Sequence, residues 1–286
     1  MTAKLLAVRR ILPLILLVPL SAASQGTTQS APGSALVDRA LTAELRTAQD
    51  SRHPMRYRLR KSSPRMTSTK DIFESRDGAV ARLIAINDRP LSPADEQKEQ
   101  ARLDGLLSDP SRQRHRKQSE DDDTARAMKV LRALPNAFIY QFAGSGTGPT
   151  GRVEKFTFKP NPDFDPPDLE TQVLTAMTGE LWIDPSEERV VRLEGNLQRD
   201  VDFGWGILGR LDKGGKILIE QADVGQHQWR IVRFQMVMSG RVLFKNKTFD
   251  TVEEETNFRS VPVGLGYAQA IQMLRAEPGN SASASR

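Results

Sequence analysis

The chain has 286 residues, of which 27% are charged, and a formal net charge of +5. It contains no cysteine, which excludes disulfides and a lipid-modified cysteine. Three of its bases, Lys4, Arg9 and Arg10, lie within residues 1–24, where there is no acid. The basic excess of the remaining chain is slight, so the composition does not indicate a nucleic-acid-binding surface.

Residues 1–24 are predicted to form a secretory signal peptide. A basic start is followed by an apolar run at 11–20 and by small residues that suit cleavage near Ala23 or Ser24. The alternative is an uncleaved membrane anchor, but the apolar run is too short to cross a bilayer. We therefore expect an exported protein, periplasmic in a bacterial source, with no transmembrane segment in the mature chain.

The mature chain is predicted to be one half-barrel domain, residues 35–275, between a disordered leader at 25–34 and a disordered tail at 276–286. Apolar residues at three- and four-residue steps predict a first helix over 35–50. Strands follow at 55–61, 68–76 and 79–87, and the last two form a hairpin around Asp77-Gly78.

A helical insertion is predicted over residues 91–135. Ser92 and Pro93 form a helix start, with a serine N-cap and proline in the first turn. A basic run at 112–117 is followed by acids at 120–123. One interpretation is a patch for anionic head groups or nucleic acid; the interpretation we favour is a solvated, electrically neutral arm. Deletion of residues 112–123 is then expected to leave the half-barrel folded.

The largest β signal is an antiparallel meander over residues 178–258. Its long second strand, 189–203, alternates apolar and polar residues, which is typical of a sheet with one dry and one wet face. Turns are predicted at Gly214-Gly215, Gly225-Gln226 and Ser239-Gly240. The upstream helices are expected to cover the dry face.

The motifs do not predict catalysis. Gly204-x-Gly206-x-x-Gly209 matches a dinucleotide fingerprint, but a strand follows it where the mechanism needs a helix. The three histidines have no metal-ligand spacing. Asp200 and Asp202 share a strand face and are more typical of a wet sheet face than of acid–base chemistry. We therefore expect no enzyme activity, no cofactor and no metal.

Apolar residues in the meander are the remaining candidates for function. They are typical of a packed core, but a curved sheet covered by helices can also leave a cavity for an apolar ligand. The candidate ligand-binding residues are Trp182, Phe203, Trp205, Ile207, Leu208 and Trp229.

The phrase at 179–184, Gly-Glu-Leu-Trp-Ile-Asp, followed by Arg-Val-Val-Arg-Leu-Glu at 189–194, resembles the periplasmic outer-membrane lipoprotein carrier and its relatives. The resemblance covers residues 37–274. It implies an unclosed β-barrel capped by helices that holds lipid or lipoprotein acyl chains in transit through the periplasm. The charged insertion departs from the compact carriers, and the resemblance assigns no individual ligand-contacting residue.

Three hypotheses follow. The first is a non-enzymatic carrier or binding protein for a lipidic or acylated ligand. The second is an envelope scaffold with a packed core, in which the insertion at 91–135 binds a protein partner. The third is a hydrolase that depends on Asp200 and Asp202 alone.

Overall fold

The computed structural model describes residues 32–149, 151–203, 209–243 and 245–276. Within them, five α-helices pack on an antiparallel sheet of thirteen strands that does not close on itself. The predicted fold class, a large unclosed antiparallel sheet covered by helices, is thereby confirmed. The predicted signal peptide and residues 25–31 of the predicted leader lie outside the described residues, as do residues 277–286 of the predicted tail.

The sheet continues without a break from the short strand β4 to the long strand β5 through neighbours that are often distant in sequence. Along this path the strand order is β4-β3-β2-β1-β13-β12-β11-β8-β7-β6-β5, and β10 joins β12 to β9. The helices are α1 Pro32–Gln49, α2 Pro93–Ser108, α3 Pro110–Ala137, α4 Leu169–Gln172 and α5 Tyr267–Ala276. The strands are β1 Met55–Ser62, β2 Thr67–Phe73, β3 Val80–Ile86, β4 Arg89–Pro90, β5 Phe138–Gly148, β6 Gly151–Pro160, β7 Met177–Asp184, β8 Arg189–Leu197, β9 Val201–Phe203, β10 Gly209–Leu211, β11 Lys216–Asp223, β12 Trp229–Val242 and β13 Lys245–Ser260.

Local chemistry explains several of these boundaries. The Ser92 side chain accepts a hydrogen bond from the Asp95 N–H and caps α2 as predicted. The loop between β2 and β3 is wider than a two-residue turn, since β2 ends at Phe73 and β3 begins at Val80. Within it, the Ser75 hydroxyl donates to the Gly78 carbonyl at 2.6 Å. Gly78 has a φ of +95°, so the glycine predicted for this turn is required by the backbone.

The predicted turn at Ser239-Gly240 is wrong. β12 runs through both residues, pairing Gly240 with Lys247 of β13 on one side and with Leu211 of β10 on the other. A Cβ on Gly240 would lie 2.2 Å from the Arg210 carbonyl oxygen. The glycine is needed for the close approach of β10 and not for a change of chain direction.

The predicted strand 189–203 is interrupted. β8 ends at Leu197, and the Gln198 N–H donates to the Ala176 carbonyl at 2.8 Å. The Asp200 carboxylate then accepts from the Lys213 N–H at 2.7 Å. An aspartate that binds the backbone in this way competes with strand pairing, so the chain resumes as the separate strand β9.

The prediction of a solvated arm is wrong for the first half of α3. Gln113, Glu120 and Asp123 are buried, with 2%, 6% and 2% of their surface exposed. The Gln113 amide donates to the Asp77 carbonyl at 2.9 Å, and the Glu120 carboxylate accepts from the Ala79 N–H at 3.0 Å. The balanced charges of the sequence did not reveal this docking, because a charge count does not distinguish solvated polar side chains from buried ones that bind the loop between β2 and β3.

Glu120 provides a test of this docking. Removing its carboxylate with Glu120→Ala leaves the buried Ala79 N–H without its acceptor, which costs about 1–3 kcal/mol in the free energy of unfolding. Glu120→Gln keeps an acceptor oxygen and is expected to cost less. Equal losses in both variants, measured by urea denaturation at neutral pH, would contradict this role of the hydrogen bond.

Comparison of Glu120→Gln with the wild type also tests how stability depends on pH. Burial raises the pKa of Glu120 above its ordinary value of 4.5, and the Ala79 N–H and Arg116 oppose that rise only in part. The contribution of Glu120 to stability is therefore full below pH 4.5 and is lost as the pH rises through the raised pKa. Relative to the wild type, Glu120→Gln should gain unfolding free energy as the pH rises through this window.

Candidate functional site

The inner face of the sheet, defined as the face that carries Phe156, Phe158 and Leu181, is covered by helix α1. Along α1, Leu36, Val37, Ala40 and Leu41 are buried, in one hydrophobic cluster with the sheet. These positions recur at helical spacing, which gives α1 a single apolar stripe. The cluster joins α1 to residues of α3, β5 to β12 and the segment before β7, including Leu134, Phe138, Leu174, Leu197, Phe234 and Met238.

One buried ion pair anchors the second half of α1. The Arg189 guanidinium donates two hydrogen bonds of 2.9 Å to the Glu44 carboxylate, and the Val190 N–H donates a third at 3.1 Å. Glu44 is 9% exposed and Arg189 8% exposed. A bidentate pair of this kind fixes both orientation and register, so it holds α1 against the start of β8. Arg189 also lies over the Trp229 ring, with 5.6 Å from its Cζ to the ring centroid.

The sequence contains a signal for Glu44 that the sequence analysis missed. Glu44 continues the apolar stripe of α1, three residues after Leu41, at a position where a core residue is expected. A carboxylate on the apolar stripe of a helix needs a buried cation as its partner. Arg189, at the start of the strand that α1 crosses, is such a cation. The pairing itself is set by tertiary structure.

The candidate ligand-binding residues do not form one site within the described part of the chain. Phe203 lies in the main inner-face cluster. Trp182 and Trp229 instead belong to a small separate cluster with Val153 and Val191. Trp205, Ile207 and Leu208 lie outside the described residues. The set as a whole therefore stays a prediction, and its described members are divided between two clusters.

Trp182 is held in a polar setting on the outer face. The Lys155 Nζ lies 3.9 Å from the centre of its ring, and the Arg192 Cζ lies 5.1 Å from it. The indole N–H donates to the Glu180 carboxylate at 3.0 Å. Two cations over the ring and a satisfied N–H are typical of a structural cross-strand arrangement.

An open groove of about 680 Å³ lies on the outer face and is lined in part by Glu180, the hydrogen-bond partner of Trp182. It crosses strands β5 to β8, and its lining is about equally polar and apolar, with Tyr140 and Phe158 beside Ile139 of the edge strand. Glu194, one of its charged residues, accepts a hydrogen bond from Arg192, so part of its wall is already paired. Its lining includes Ile139, Gln141, Thr157, Lys159, Thr178 and Asn196.

The residues considered for chemistry have structural partners. Asp200 and Asp202 both face Arg210 of β10. His53 lies 3.3 Å from Asp50, and His227 lies 3.1 Å from Glu187. Among the described residues, no three histidine or carboxylate side chains come together as metal ligands. Within the described ranges, no helix combines the length and apolar character needed to cross a bilayer.

Comparison with known proteins does not place the chain in a family. No family model matches it, and no curated protein matches it. Among solved structures, the chain is similar to a crystal structure of an outer membrane lipoprotein-sorting protein domain from Vibrio parahaemolyticus. The identity is 10% and the TM-score 0.29, with 83% of this chain and 97% of that chain covered. A superposition this loose gives no residue correspondence and no basis for assigning a ligand.

Proposed function

We propose that the protein is an exported, periplasmic, non-enzymatic carrier or binding protein for a lipidic or acylated ligand, such as a lipoprotein. The observation that carries the proposal is the apolar inner face of an unclosed sheet beneath the amphipathic helix α1. An acyl chain is the ligand that such a surface suits, because each buried methylene contributes about 0.8 kcal/mol.

Helix α1 is the element that a ligand would displace. Its contacts with the sheet are mainly apolar, and an acyl chain can replace contacts of that kind without leaving polar groups unpaired. The buried polar anchor, Glu44 with Arg189, lies in the second half of the helix. The first half, with Leu36 and Val37, packs through apolar side chains and is the part we expect to move.

A packed envelope scaffold is the second candidate. It is favoured by the close packing of the inner face, where Phe156, Leu181 and Ile183 are at most 1% exposed. In that case the cluster is a core, and the surface of α2 and α3, residues 91–135, is the place for a protein partner. The two candidates differ in one measurable property, which is binding of an acyl chain by the folded protein.

Titration with a fluorescent fatty-acyl probe tests the proposal. The mature wild-type protein should bind the probe below its micelle concentration, and native mass spectrometry of protein purified from its own envelope should detect a co-purifying lipid. Glu44→Gln loosens α1 and should speed probe association. Absence of probe binding below the micelle concentration would contradict the carrier and leave the scaffold.

A matched control separates a loosened α1 from general instability. Leu103 of α2 is fully buried in a separate hydrophobic cluster with Phe73, Val80 and Ile271, which contains no residue of α1. Leu103→Ala should cost about 2–5 kcal/mol of unfolding free energy, a loss comparable to that of Glu44→Gln. Probe association should be unchanged in Leu103→Ala. Equal acceleration in both variants would mean that the probe binds partly unfolded protein.

A further inference from the structure

The two ends of the main strand path are built differently. One edge is β4, which has only two residues, Arg89 and Pro90. A short edge strand with a charge and a proline is protected against pairing with another chain. The other edge is β5, Phe138–Gly148, which has eleven residues without a charge or a proline. Among the described strands β5 pairs with β6 alone, so its outer backbone groups are free to pair.

The first half of β5 is a regular strand, and a bulge after it limits the length of β5 that can pair with another strand. Phe138 to Phe142 pair residue by residue with β6, and the register then shifts between Phe142 and Gly144. Bulges twist an edge away from a partner, so the free edge is the stretch 138–142. Ile139 and Phe142, at 44% and 52% exposed, are two of the exposed large hydrophobic residues found among the described residues.

We propose that this edge is an interface with a second copy of the same chain, formed by antiparallel pairing of residues 138–142 about Tyr140. In that register Tyr140 lies opposite itself, and Phe142 lies opposite Phe138 of the second copy. One face of the joined strands then carries only aromatic side chains, which stabilise each other as cross-strand pairs. On the opposite face, Ile139 lies opposite Gln141 of the second copy.

Charge and symmetry favour a second copy as the occupant. A two-fold interface brings the same surface patch together twice, so the patch must be complementary to itself and a charge near the axis would face its own copy. The stretch 138–142 has no charge to oppose such contact. The lysines on this side, Lys155 and Lys159, belong to β6, one strand further in. Lys155 is also directed onto the Trp182 ring.

Sedimentation equilibrium of the mature wild-type protein, from micromolar to millimolar concentration, tests the proposal. A monomer–dimer equilibrium is expected, and Ile139→Lys should raise its dissociation constant by at least about tenfold, since an edge lysine opposes strand pairing. Thr157→Lys is the control, because Thr157 lies on the same face one strand inside the edge. Thermal unfolding of each variant at low concentration confirms that it is folded.

Cysteine cross-linking tests the register. Because the chain has no native cysteine, only the introduced thiols can form disulfides. Opposed residues of an antiparallel pair have Cα atoms about 4.5–5.5 Å apart, within the range a disulfide bridges. Ile139→Cys mixed with Gln141→Cys should therefore form mixed disulfides faster than either variant alone, and Thr157→Cys should not cross-link with either. A monomer at all concentrations, a dimer unaffected by Ile139→Lys, or cross-linking no faster than in the Thr157→Cys control would each overturn the proposal.

Discussion

Removing one partner of the Glu44–Arg189 pair is expected to cost about 3–5 kcal/mol of unfolding free energy, because the remaining charge is left buried without a counter-ion. Glu44→Leu leaves the Arg189 guanidinium and the Val190 N–H without their acceptor. Arg189→Leu leaves the Glu44 carboxylate with the Val190 N–H alone among the donors described here. Urea denaturation measures both losses.

The double variant separates the value of the pair from the penalty of breaking it. Glu44→Leu combined with Arg189→Leu removes both charges and is expected to recover most of the stability lost by either single change. The exposed pair Arg39–Glu188 links α1 to the turn before β8 and is a matched control. Its side chains are 53% and 43% exposed, so Arg39→Ala should cost less than about 1 kcal/mol. Additive losses in the double variant would contradict a coupled buried pair.

Gly179→Ala is expected to be the most disruptive small substitution in the sheet. A Cβ at this position would lie 1.8 Å from the Glu194 carbonyl oxygen and 2.7 Å from the Phe158 ring. The nearer atom belongs to the backbone of the paired strand β8, so relief requires the two strands to separate. We expect a loss of at least about 3 kcal/mol in the free energy of unfolding, at the upper end of overpacking effects.

Gly146→Ala is the control for this substitution. A Cβ on Gly146 would meet only the flexible end of Lys155, at 3.0 Å. The lysine can move, and alanine reduces the entropy of the unfolded chain, so the change should lie within about 1 kcal/mol of the wild type. Thermal unfolding of both variants checks the difference. Similar melting temperatures would show that the sheet tolerates separation at Gly179.

Local patterns in the sequence were sufficient for the fold class and insufficient for the faces of particular residues. Alternation along residues 189–203 predicted Val191 on the same face as Leu193, Leu197 and Phe203. In the structure, Trp182 pairs with Arg192 and Ile183 with Val190, so Val191 is an extra residue in β8 and packs with Trp182 and Trp229. A bulge depends on the partner strand, and no period within β8 alone reveals it.

The site was less predictable than the fold for a related reason. The sequence shows Glu44 as a charged residue on the apolar stripe of α1, but its partner Arg189 lies 145 residues further along the chain. The tryptophans were grouped because they are close in the meander. Trp182 and Trp229 do share a cluster, but Phe203, grouped with them, lies in the main inner-face cluster. Strand direction and bulges, and not proximity in sequence, decide which face each side chain occupies.

The pairing of β1 with β13 has a consequence for the time course of folding. Met55 lies opposite Ser260, so this contact joins positions about 200 residues apart, a separation typical of slow folding. While the chain is still incomplete, β1 to β4 can assemble among themselves, but the free side of β1 stays unpaired until β13 arrives. During that interval the incomplete sheet exposes an unpaired edge at β1, and an unpaired strand edge of this kind is prone to aggregation.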